Sequence, residues 1–215
     1  YGVAWNPLRS GQLLSGAYDS LVCLWDIEGH TQGGKELQPK ATFKGHSSVV
    51  GDVAWHHHDE NLFGSCGDDK MVLIWDKRDA AKPTNKVENA HDAEINCLTF
   101  NPNNEFLLGT GGADKVVALW DMRSMNKPLH KFEGHEDEIL QLQWAPFTES
   151  IFASSSADRR VRIWDIARIG QEQTDEEKLD GPPELLFIHG GHTTSVSDFS
   201  WNANKNDEWV IASVA

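Results

Sequence analysis

One pattern of side chains recurs four times along this chain, and its fixed spacing constrains the fold more than any other feature. In each copy a Ser or Thr stands four residues before an Asp, and that Asp stands six residues before a Trp. The four copies are Ser15, Asp19 and Trp25; Ser65, Asp69 and Trp75; Thr110, Asp114 and Trp120; and Ser154, Asp158 and Trp164. Successive Trp residues lie 50, 45 and 44 residues apart, and Asp follows each of them. A period of this length indicates one structural unit repeated along the chain.

Histidines and further aromatic residues extend the repeat. In three copies a His stands 19 residues before the Ser or Thr, directly after Gly or Ala; these are His46, His91 and His135. Another aromatic residue precedes each Trp by 20 positions, namely Trp5, Trp55, Phe100 and Trp144. Gly-His and Trp-Asp at the two ends of a unit of this length resemble the WD40 repeat, whose four-stranded blades build a β-propeller.

The residues between these markers favour strands. β-Branched and apolar residues dominate short runs that end at each Trp, such as residues 71–75 and 161–164, and Gly, Asn, Asp and Pro separate the runs. No segment shows a sustained helical period with caps. The predicted fold class is therefore all-β, and the resemblance makes it a WD40 β-propeller.

The length of the chain sets the number of blades. At roughly 45 residues per blade, a chain of this length holds about four and a half blades, whereas the WD40 resemblance implies a seven-bladed parent. We predict a single propeller segment, residues 1–215, with units at 1–44, 45–89, 90–133 and 134–190 and a partial unit at 191–215. The chain opens within an inner strand and ends where the next Asp and Trp-Asp are due, so we expect a fragment of a larger propeller.

A repeated His, hydroxyl and Asp could be read as a hydrolase triad. Catalysis needs one such set in one pocket, whereas this set occurs three times at identical spacing. The WD40 resemblance implies instead a buried tetrad, in which the Trp indole joins the other three side chains and all satisfy one another. The predicted tetrads are His46, Ser65, Asp69 and Trp75; His91, Thr110, Asp114 and Trp120; and His135, Ser154, Asp158 and Trp164. We predict that they hold the scaffold and that the protein is not an enzyme.

Charge and hydropathy limit the partners. The net charge of −14 argues against nucleic acid as a direct partner and favours a basic one. No apolar stretch approaches the length that crosses a membrane, so no membrane partner is expected.

Neither the cysteines nor a run of histidines predicts a metal site. Cys23, Cys66 and Cys97 lack metal-ligand spacing and are predicted to be buried, reduced thiols of an intracellular protein. Residues 56–58 are all His, but consecutive side chains of an extended segment point to opposite faces. We predict no metal and no cofactor.

The connection between the fourth and fifth units is longer than the others. It spans 27 residues from Asp165 to His192, against 15 and 14 at the two preceding junctions. Its residues 171–180, called the acidic insertion below, are followed by two prolines and the apolar run 185–188. Two interpretations stay open: a poorly ordered, solvated loop, or a surface whose acids and apolar residues receive a basic amphipathic helix.

A narrower resemblance covers the insertion as well as the blades. Five stretches, residues 92–98, 100–102, 119–123, 180–192 and 197–202, resemble the retinoblastoma-binding histone chaperones, also known as the small subunit of chromatin assembly factor. This resemblance implies a nuclear, non-enzymatic protein that is shared among chromatin assembly, deacetylase, remodelling and Polycomb complexes. It implies histones H3 and H4 as partners. The family's N-terminal helix, which supplies one half of the H4 clamp, would lie outside this chain.

The same resemblance implies two binding surfaces. The surface for the first helix of histone H4 would comprise Asp180, Gly181, Pro182, Pro183, Glu184, Leu185, Leu186 and Phe187. The surface for the H3 tail, on the top face, would comprise Tyr1, Asp68, Glu94, Asn96, Glu138 and Leu140. Gly51 departs from the family, which has an acid at that position of the channel.

The repeat spacing supports the top face independently. Glu94 and Glu138 both lie three residues after the His of their unit, so they occupy equivalent blade positions at one rim. The alternative is that both are ordinary exposed acids. Two rivals to histone binding stay open: a general WD40 scaffold or ubiquitin-ligase substrate receptor for other basic motifs, and an enzyme acting at the central channel. An enzyme would show one asymmetric cluster of titratable residues outside the tetrads, and the sequence shows none.

Overall fold

The structure, a computed structural model, describes residues 2–28, 37–204 and 207–215. Almost all regular structure in these ranges is β, which confirms the predicted class. Two 3-10 helices, Ile166–Arg168 and Glu177–Leu179, lie in the long fourth connection. In the described ranges no helix has the length and apolar character needed to cross a membrane.

The strands form five antiparallel sheets in chain order. The first sheet contains β1 (Val3–Trp5), β2 (Gln12–Gly16), β3 (Leu21–Asp26) and β4 (Ala41–Lys44). The second contains β5 (Val50–Trp55), β6 (Leu62–Gly67), β7 (Val72–Asp76) and β8 (Asn85–Val87). The third contains β9 (Ile95–Phe100), β10 (Leu107–Gly112), β11 (Val117–Asp121) and β12 (His130–Phe132). The fourth contains β13 (Ile139–Trp144), β14 (Ile151–Ser156), β15 (Val161–Asp165) and β16 (Leu185–His189). The fifth contains β17 (Asp198–Trp201) and β18 (Ile211–Val214).

The conserved spacing between Asp and Trp reflects a tight hairpin. In the second and third sheets, Asp69 and Asp114 each precede a Lys with a left-handed backbone, at φ angles of 63° and 71°. The Asp side chain accepts a hydrogen bond from the N–H two residues later, which stabilises a turn that a non-glycine residue otherwise adopts reluctantly. The Asp therefore fixes where the third strand of each sheet begins.

The core consists of layers between neighbouring sheets. Trp75 packs against apolar side chains of the first and second sheets, Trp120 against those of the second and third, and Trp164 against those of the third and fourth. These three indoles are 0–1% exposed. A fourth layer, which includes Phe199 and Trp201, joins the fourth and fifth sheets. Each pair of neighbouring sheets thus buries apolar side chains between its facing surfaces, as in a propeller.

The first strands of successive sheets lie side by side. β5 contacts β1 and β9, β9 contacts β13, and β13 contacts β17. This arrangement places the start of each first strand at one rim of the molecule and the end of each first strand at the opposite rim. The described chain therefore has the architecture of a partial β-propeller.

Candidate protein-interaction site

Each complete His, hydroxyl, Asp and Trp set forms one directional chain of hydrogen bonds. In the second sheet, Trp75 Nε1 donates to Ser65 Oγ at 2.9 Å, and His46 Nε2 lies 2.8 Å from the same oxygen. His46 Nδ1 lies 2.9 Å from Asp69 Oδ2. A carboxylate can only accept, so Nδ1 carries the ring proton and Nε2 accepts from the hydroxyl. Every polar group of the set is satisfied by another member.

The third and fourth sheets repeat this geometry. His91 Nε2 lies 2.8 Å from Thr110 Oγ1 and His135 Nε2 lies 2.8 Å from Ser154 Oγ. The indoles of the two sheets donate to these same oxygens at 2.9 Å. The ring Nδ1 atoms lie 3.0 Å from Asp114 and 2.7 Å from Asp158. The structure therefore brings together all the residues of the three predicted tetrads.

Partial sets occur at the two ends of the described chain. Trp25 Nε1 donates to Ser15 Oγ at 2.8 Å in the first sheet. In the fifth sheet His192 Nε2 lies 2.7 Å from Ser213 Oγ. His192 stands 21 residues before Ser213 rather than 19, so the fixed spacing alone does not find this pair.

The electrostatics of the tetrads suit a scaffold. Burial would raise the pKa of Asp158, but hydrogen bonds from His135 and from two backbone N–H groups outweigh it and lower the pKa to about 2. Burial lowers the pKa of His135. At neutral pH the carboxylate is therefore charged and the imidazole neutral. Ser154 is fully buried, so its hydroxyl cannot reach a substrate, and the set cannot work as a hydrolase triad.

The comparison with known families agrees with this geometry. The family model described as WD domain, G-beta repeat matches residues 37–76, 82–121 and 126–165. The chain belongs to the WD40 repeat family. Each matched stretch ends on the Asp of a Trp-Asp pair. WD40 propellers are generally non-enzymatic scaffolds that mediate protein–protein interactions. The functional site of this WD40 chain is therefore expected to be a protein-binding surface.

Three successive sheets each place a carboxylate at the rim where their first strands begin. Ala113 N donates to Glu94 O at 2.8 Å, and Ala157 N donates to Glu138 O at 3.0 Å. In the second sheet the equivalent bond runs from Asp68 N to Val49 O at 3.0 Å. The position of the two Glu residues is therefore a Val in this sheet, and the carboxylate comes from Asp68, at the position of the two Ala residues, on the other side of the bond. Asp68, Glu94 and Glu138 define the acidic rim.

The acidic rim is open to solvent and unneutralised. Asp68 and Glu94 are exposed and Glu138 is half-buried. Within the part of the chain that the structure describes, no salt bridge involves any of the three. Asn96 Nδ2 donates to Glu138 Oε2 at 3.1 Å and to Ile139 O at 2.8 Å, which orients the Glu138 carboxylate across the junction of two sheets.

The remaining residues predicted for the top face differ in their positions and burial. Leu140 in β13 is half-buried, at the position equivalent to Asn96 in β9. Tyr1 lies outside the described residues. A Cβ atom added at Gly51 would lie 2.7 Å from Ile95 O, so the glycine permits a close approach between β5 and β9. A larger side chain, such as the acid that the histone-chaperone resemblance implies at this position, would not fit here without a shift of the backbone.

A carboxylate that sequence reasoning missed lies directly after Gly51. Asp52 accepts hydrogen bonds from Val53 N at 2.8 Å and from Leu98 N in the neighbouring sheet at 3.1 Å. Burial raises the pKa of Asp52 to about 6. Gln141 and Asp198 stand at the equivalent positions of later sheets, and Gln141 Nε2 donates to Asp198 at 3.4 Å. The repeat register was the signal that could have identified Asp52 as a contact between sheets.

The acidic insertion has more local structure than its composition predicts. Glu177 begins a 3-10 helix and its carboxylate accepts from Thr174 N at 2.8 Å, while Lys178 lies 2.9 Å from Asp175. Gln173 Nε2 donates to Gly181 O at 3.0 Å and so joins the two ends of the loop. These short-range bonds give local structure to part of the acidic insertion, while the carboxylates of Glu172, Glu176 and Asp180 remain exposed.

The predicted H4 surface divides into exposed and buried residues. Asp180 is exposed, and residues 181–183 are half-buried. Glu184 is buried, and its Oε1 lies 2.9 Å from His130 Nε2 of the third sheet. Leu185 and Leu186 are partly buried against the two adjoining core layers.

The prediction that Glu184 belongs to the H4 surface is therefore corrected. Its carboxylate is buried and links the third and fourth sheets through His130, so it does not face a partner. Phe187 is 56% exposed. The Phe187 side chain lines a cavity together with Ile211 of the fifth sheet, and it stays a predicted contact for an apolar side chain of a partner.

The histidines and cysteines have structural surroundings. His56 Nδ1 accepts from two backbone N–H groups at 3.1 and 2.9 Å, and its Nε2 lies 2.9 Å from Glu105 O, so both ring nitrogens are occupied. In the described ranges no cluster of three or more His, Cys, Asp or Glu could hold a metal ion. Cys66 and Cys97 are buried free thiols whose pKa values are raised by burial, and Cys23 is half-buried.

Proposed function

We propose that this chain is a non-enzymatic histone-binding subunit of chromatin assembly or chromatin-modifying complexes, located in the nucleus. The observation that supports this most is the acidic rim, in which three successive sheets each present an unneutralised carboxylate at the same edge. An extended peptide rich in Lys and Arg, such as the N-terminal tail of histone H3, matches this row of charges.

The rim is ordered before a ligand arrives. Asn96 already holds Glu138, and the hairpin that carries Asp68 is bonded to the start of β5 at 3.0 Å. A ligand therefore does not have to immobilise the Glu138 carboxylate, which reduces the entropic cost of binding. The resemblance to the retinoblastoma-binding histone chaperones narrows the basic peptide to a histone tail.

Charge reversal at the rim tests the proposal. Glu94→Lys combined with Glu138→Lys places like charges opposite the peptide and should abolish binding of a labelled H3 tail, measured by fluorescence anisotropy. The matched control is Glu105→Lys with Glu149→Lys, which changes the net charge equally at exposed positions beyond the other ends of β9 and β13. Equal H3 affinities for the two double variants would contradict the assignment to the rim.

A second surface is proposed for the first helix of histone H4. Glu172, Glu176 and Asp180 are exposed and take part in no salt bridge among the described residues, and Leu179 beside them is 86% exposed. Leu179 and these acids offer an apolar group and negative charge together, as a basic amphipathic helix requires. Changing the three acids to Lys should abolish binding of an H4 helix peptide and leave H3-tail affinity unchanged. Loss of both would show that the surfaces are not separate.

The alternative is a WD40 scaffold or ubiquitin-ligase substrate receptor that binds other basic motifs. An acidic rim attracts any peptide of the right charge, so affinity for H3 alone does not decide the question. Competition between the H3 tail and scrambled peptides of identical composition distinguishes the two functions. If scrambled peptides displace the H3 tail at the same concentration as the native sequence, the alternative is correct.

A further inference from the structure

One hydroxyl of the acidic insertion has a sequence context that no other Ser or Thr of the chain shares. Asp175, Glu176 and Glu177 directly follow Thr174, whereas every other Ser or Thr has at most one acid among the next three residues. Protein kinases select substrates by the charges around the hydroxyl. Acids on its C-terminal side match a substrate groove lined by Lys and Arg, so this context favours an acidophilic kinase.

The Thr174 side chain is accessible to an enzyme. Thr174 is exposed, and the 3-10 helix that follows it, Glu177–Leu179, has no buried residue. Opening this turn into an extended segment that a kinase can hold therefore breaks no core contact. The hydroxyls of the three complete tetrads, by contrast, are fully buried.

The Thr174 hydroxyl stabilises the turn together with a carboxylate. Thr174 Oγ1 donates to Glu177 Oε2 at 3.0 Å and accepts from Glu177 N at 3.3 Å, and Thr174 N donates to the same carboxylate at 2.8 Å. These reciprocal bonds are those of a capping box. The backbone and side-chain hydrogen bonds from Thr174 lower the pKa of Glu177, so its carboxylate is charged at neutral pH.

A phosphate on Thr174 is incompatible with this capping box. Phosphorylation removes the O–H donor and adds a charge of about −1.5 to −2 at pH 7. The phosphate ester oxygen would then stand where Oγ1 lies 3.0 Å from Glu177 Oε2. Because like charges repel at this distance, the Glu177 carboxylate has to move away from Thr174.

A cation that can receive the phosphate lies beside the turn. Arg168 is exposed and lines a cavity of about 210 Å³ together with Gln173 and Glu177. Its Nε donates to Gln171 Oε1 at 3.5 Å, and among the described residues it takes part in no salt bridge. A guanidinium binds phosphate through two parallel N–H donors, so Arg168 suits this role.

We propose that Thr174 is a phosphorylation site for an acidophilic Ser/Thr protein kinase, and that an ion pair between the phosphate and Arg168 replaces the capping box. In the transfer, Thr174 Oγ1 forms a bond to the γ-phosphorus of ATP while the bond from that phosphorus to the β-phosphate oxygen breaks. ADP leaves, and the hydroxyl proton passes to the catalytic base of the kinase.

Phosphorylation of the whole chain in vitro tests the site. The chain is incubated with ATP and either an acidophilic or a basophilic kinase, and modified residues are located by mass spectrometry. We expect the acidophilic kinase alone to modify Thr174. Asp175→Asn with Glu176→Gln keeps the capping box and should lower kcat/KM for Thr174 at least about tenfold. The control Lys178→Gln breaks the same salt bridge as Asp175→Asn and should not slow the reaction.

Phosphorus-31 NMR tests the ion pair with Arg168. The second pKa of phosphothreonine is about 6, and a nearby guanidinium lowers it because it favours the dianion. In phosphorylated Arg168→Gln we expect a phosphate pKa about half a unit higher than in the phosphorylated native chain. The control Arg159→Gln removes an exposed cation before the start of β15 and should leave the phosphate pKa unchanged.

Two outcomes would overturn the proposal. If the acidophilic kinase leaves Thr174 unmodified, or modifies it equally fast after Asp175→Asn with Glu176→Gln, the site is not read by an acidophilic kinase. If the phosphate pKa is the same in the native chain and in Arg168→Gln, Arg168 does not receive the phosphate. Neither measurement depends on histone binding.

Discussion

At the scale of single residues, one carboxylate in each complete tetrad holds two segments of chain. In the third sheet Asp114 accepts from the ring of His91 and from Asp92 N, both at 3.0 Å, and from Val116 N at 3.2 Å. The first two bonds attach the connection that enters the sheet, and the third closes the hairpin between β10 and β11. Hydrogen bonding to these donors lowers the pKa of Asp114 despite the opposing effect of burial.

Replacing this carboxylate should destabilise the fold without removing any chemistry. Asp114→Ala leaves the buried His91 ring without its acceptor, so we expect a loss of about 1–3 kcal/mol in the free energy of unfolding, measured in urea. The control is Asp175→Ala, which breaks an exposed salt bridge and should cost roughly 0–1 kcal/mol. Equal midpoints for native chain and Asp114→Ala would contradict the structural role of the tetrad.

The lowered pKa of Asp158 predicts how stability depends on pH. Its folded pKa of about 2 lies below the unfolded value of about 3.9, so the folded state is favoured wherever the carboxylate is charged. This contribution is complete above about pH 5 and disappears as the pH falls through about 2. Urea unfolding of the native chain and of Asp158→Asn should therefore differ most at neutral pH and converge near pH 2. A difference that is constant with pH would show that the charge of Asp158 does not matter.

At the scale of strands and sheets, the same hydrogen bond recurs at three junctions between neighbouring sheets. In each, a side chain at the end of a first strand bonds to a backbone carbonyl oxygen of the next sheet. Asn6 Nδ2 donates to Glu60 O at 3.1 Å and Asn101 Nδ2 to Glu149 O at 2.8 Å, in each case from the end of a first strand to the next sheet. His56 makes the same bond to Glu105 O and, like the two Asn side chains, accepts from two N–H groups of its own turn. Ala145 occupies this position in the fourth sheet.

This hydrogen bond between sheets predicts which substitutions of His56 are tolerated. His56→Asn provides an acceptor for the turn and a donor for Glu105 O, as in the neighbouring sheets, so stability should change by less than about 1 kcal/mol. His56→Ala leaves the buried backbone groups unsatisfied and should cost about 1–3 kcal/mol. Thermal unfolding of both variants checks this. Equal losses would show that the ring is needed for packing against Phe100 and not for hydrogen bonding.

At the scale of the whole molecule, the negative charge should control encounter with a basic partner. Exposed carboxylates are screened beyond about 10 Å at 0.1 M salt, so H3-tail affinity should fall steadily as salt is added. The control double variant, with its charges changed away from the rim, should show a similar slope. Affinity that is independent of salt would mean that apolar contacts, and not the acidic rim, carry binding.

The repeat in the sequence determined the class of fold, the tetrads and the position of the rim. A unit that recurs in register places the same residue type at the same point of every sheet, so spacing placed Glu94 at the level of Glu138. The WD40 resemblance, added to that spacing, assigned His91 to Thr110. Only the tertiary structure showed that Glu184 is buried against His130 and that His56 takes the place of an Asn. Each of these features depends on which side chain of the neighbouring sheet contacts the residue. A repeat in the sequence predicts only the contacts that every repeat shares, so it cannot predict a contact that one repeat alone makes.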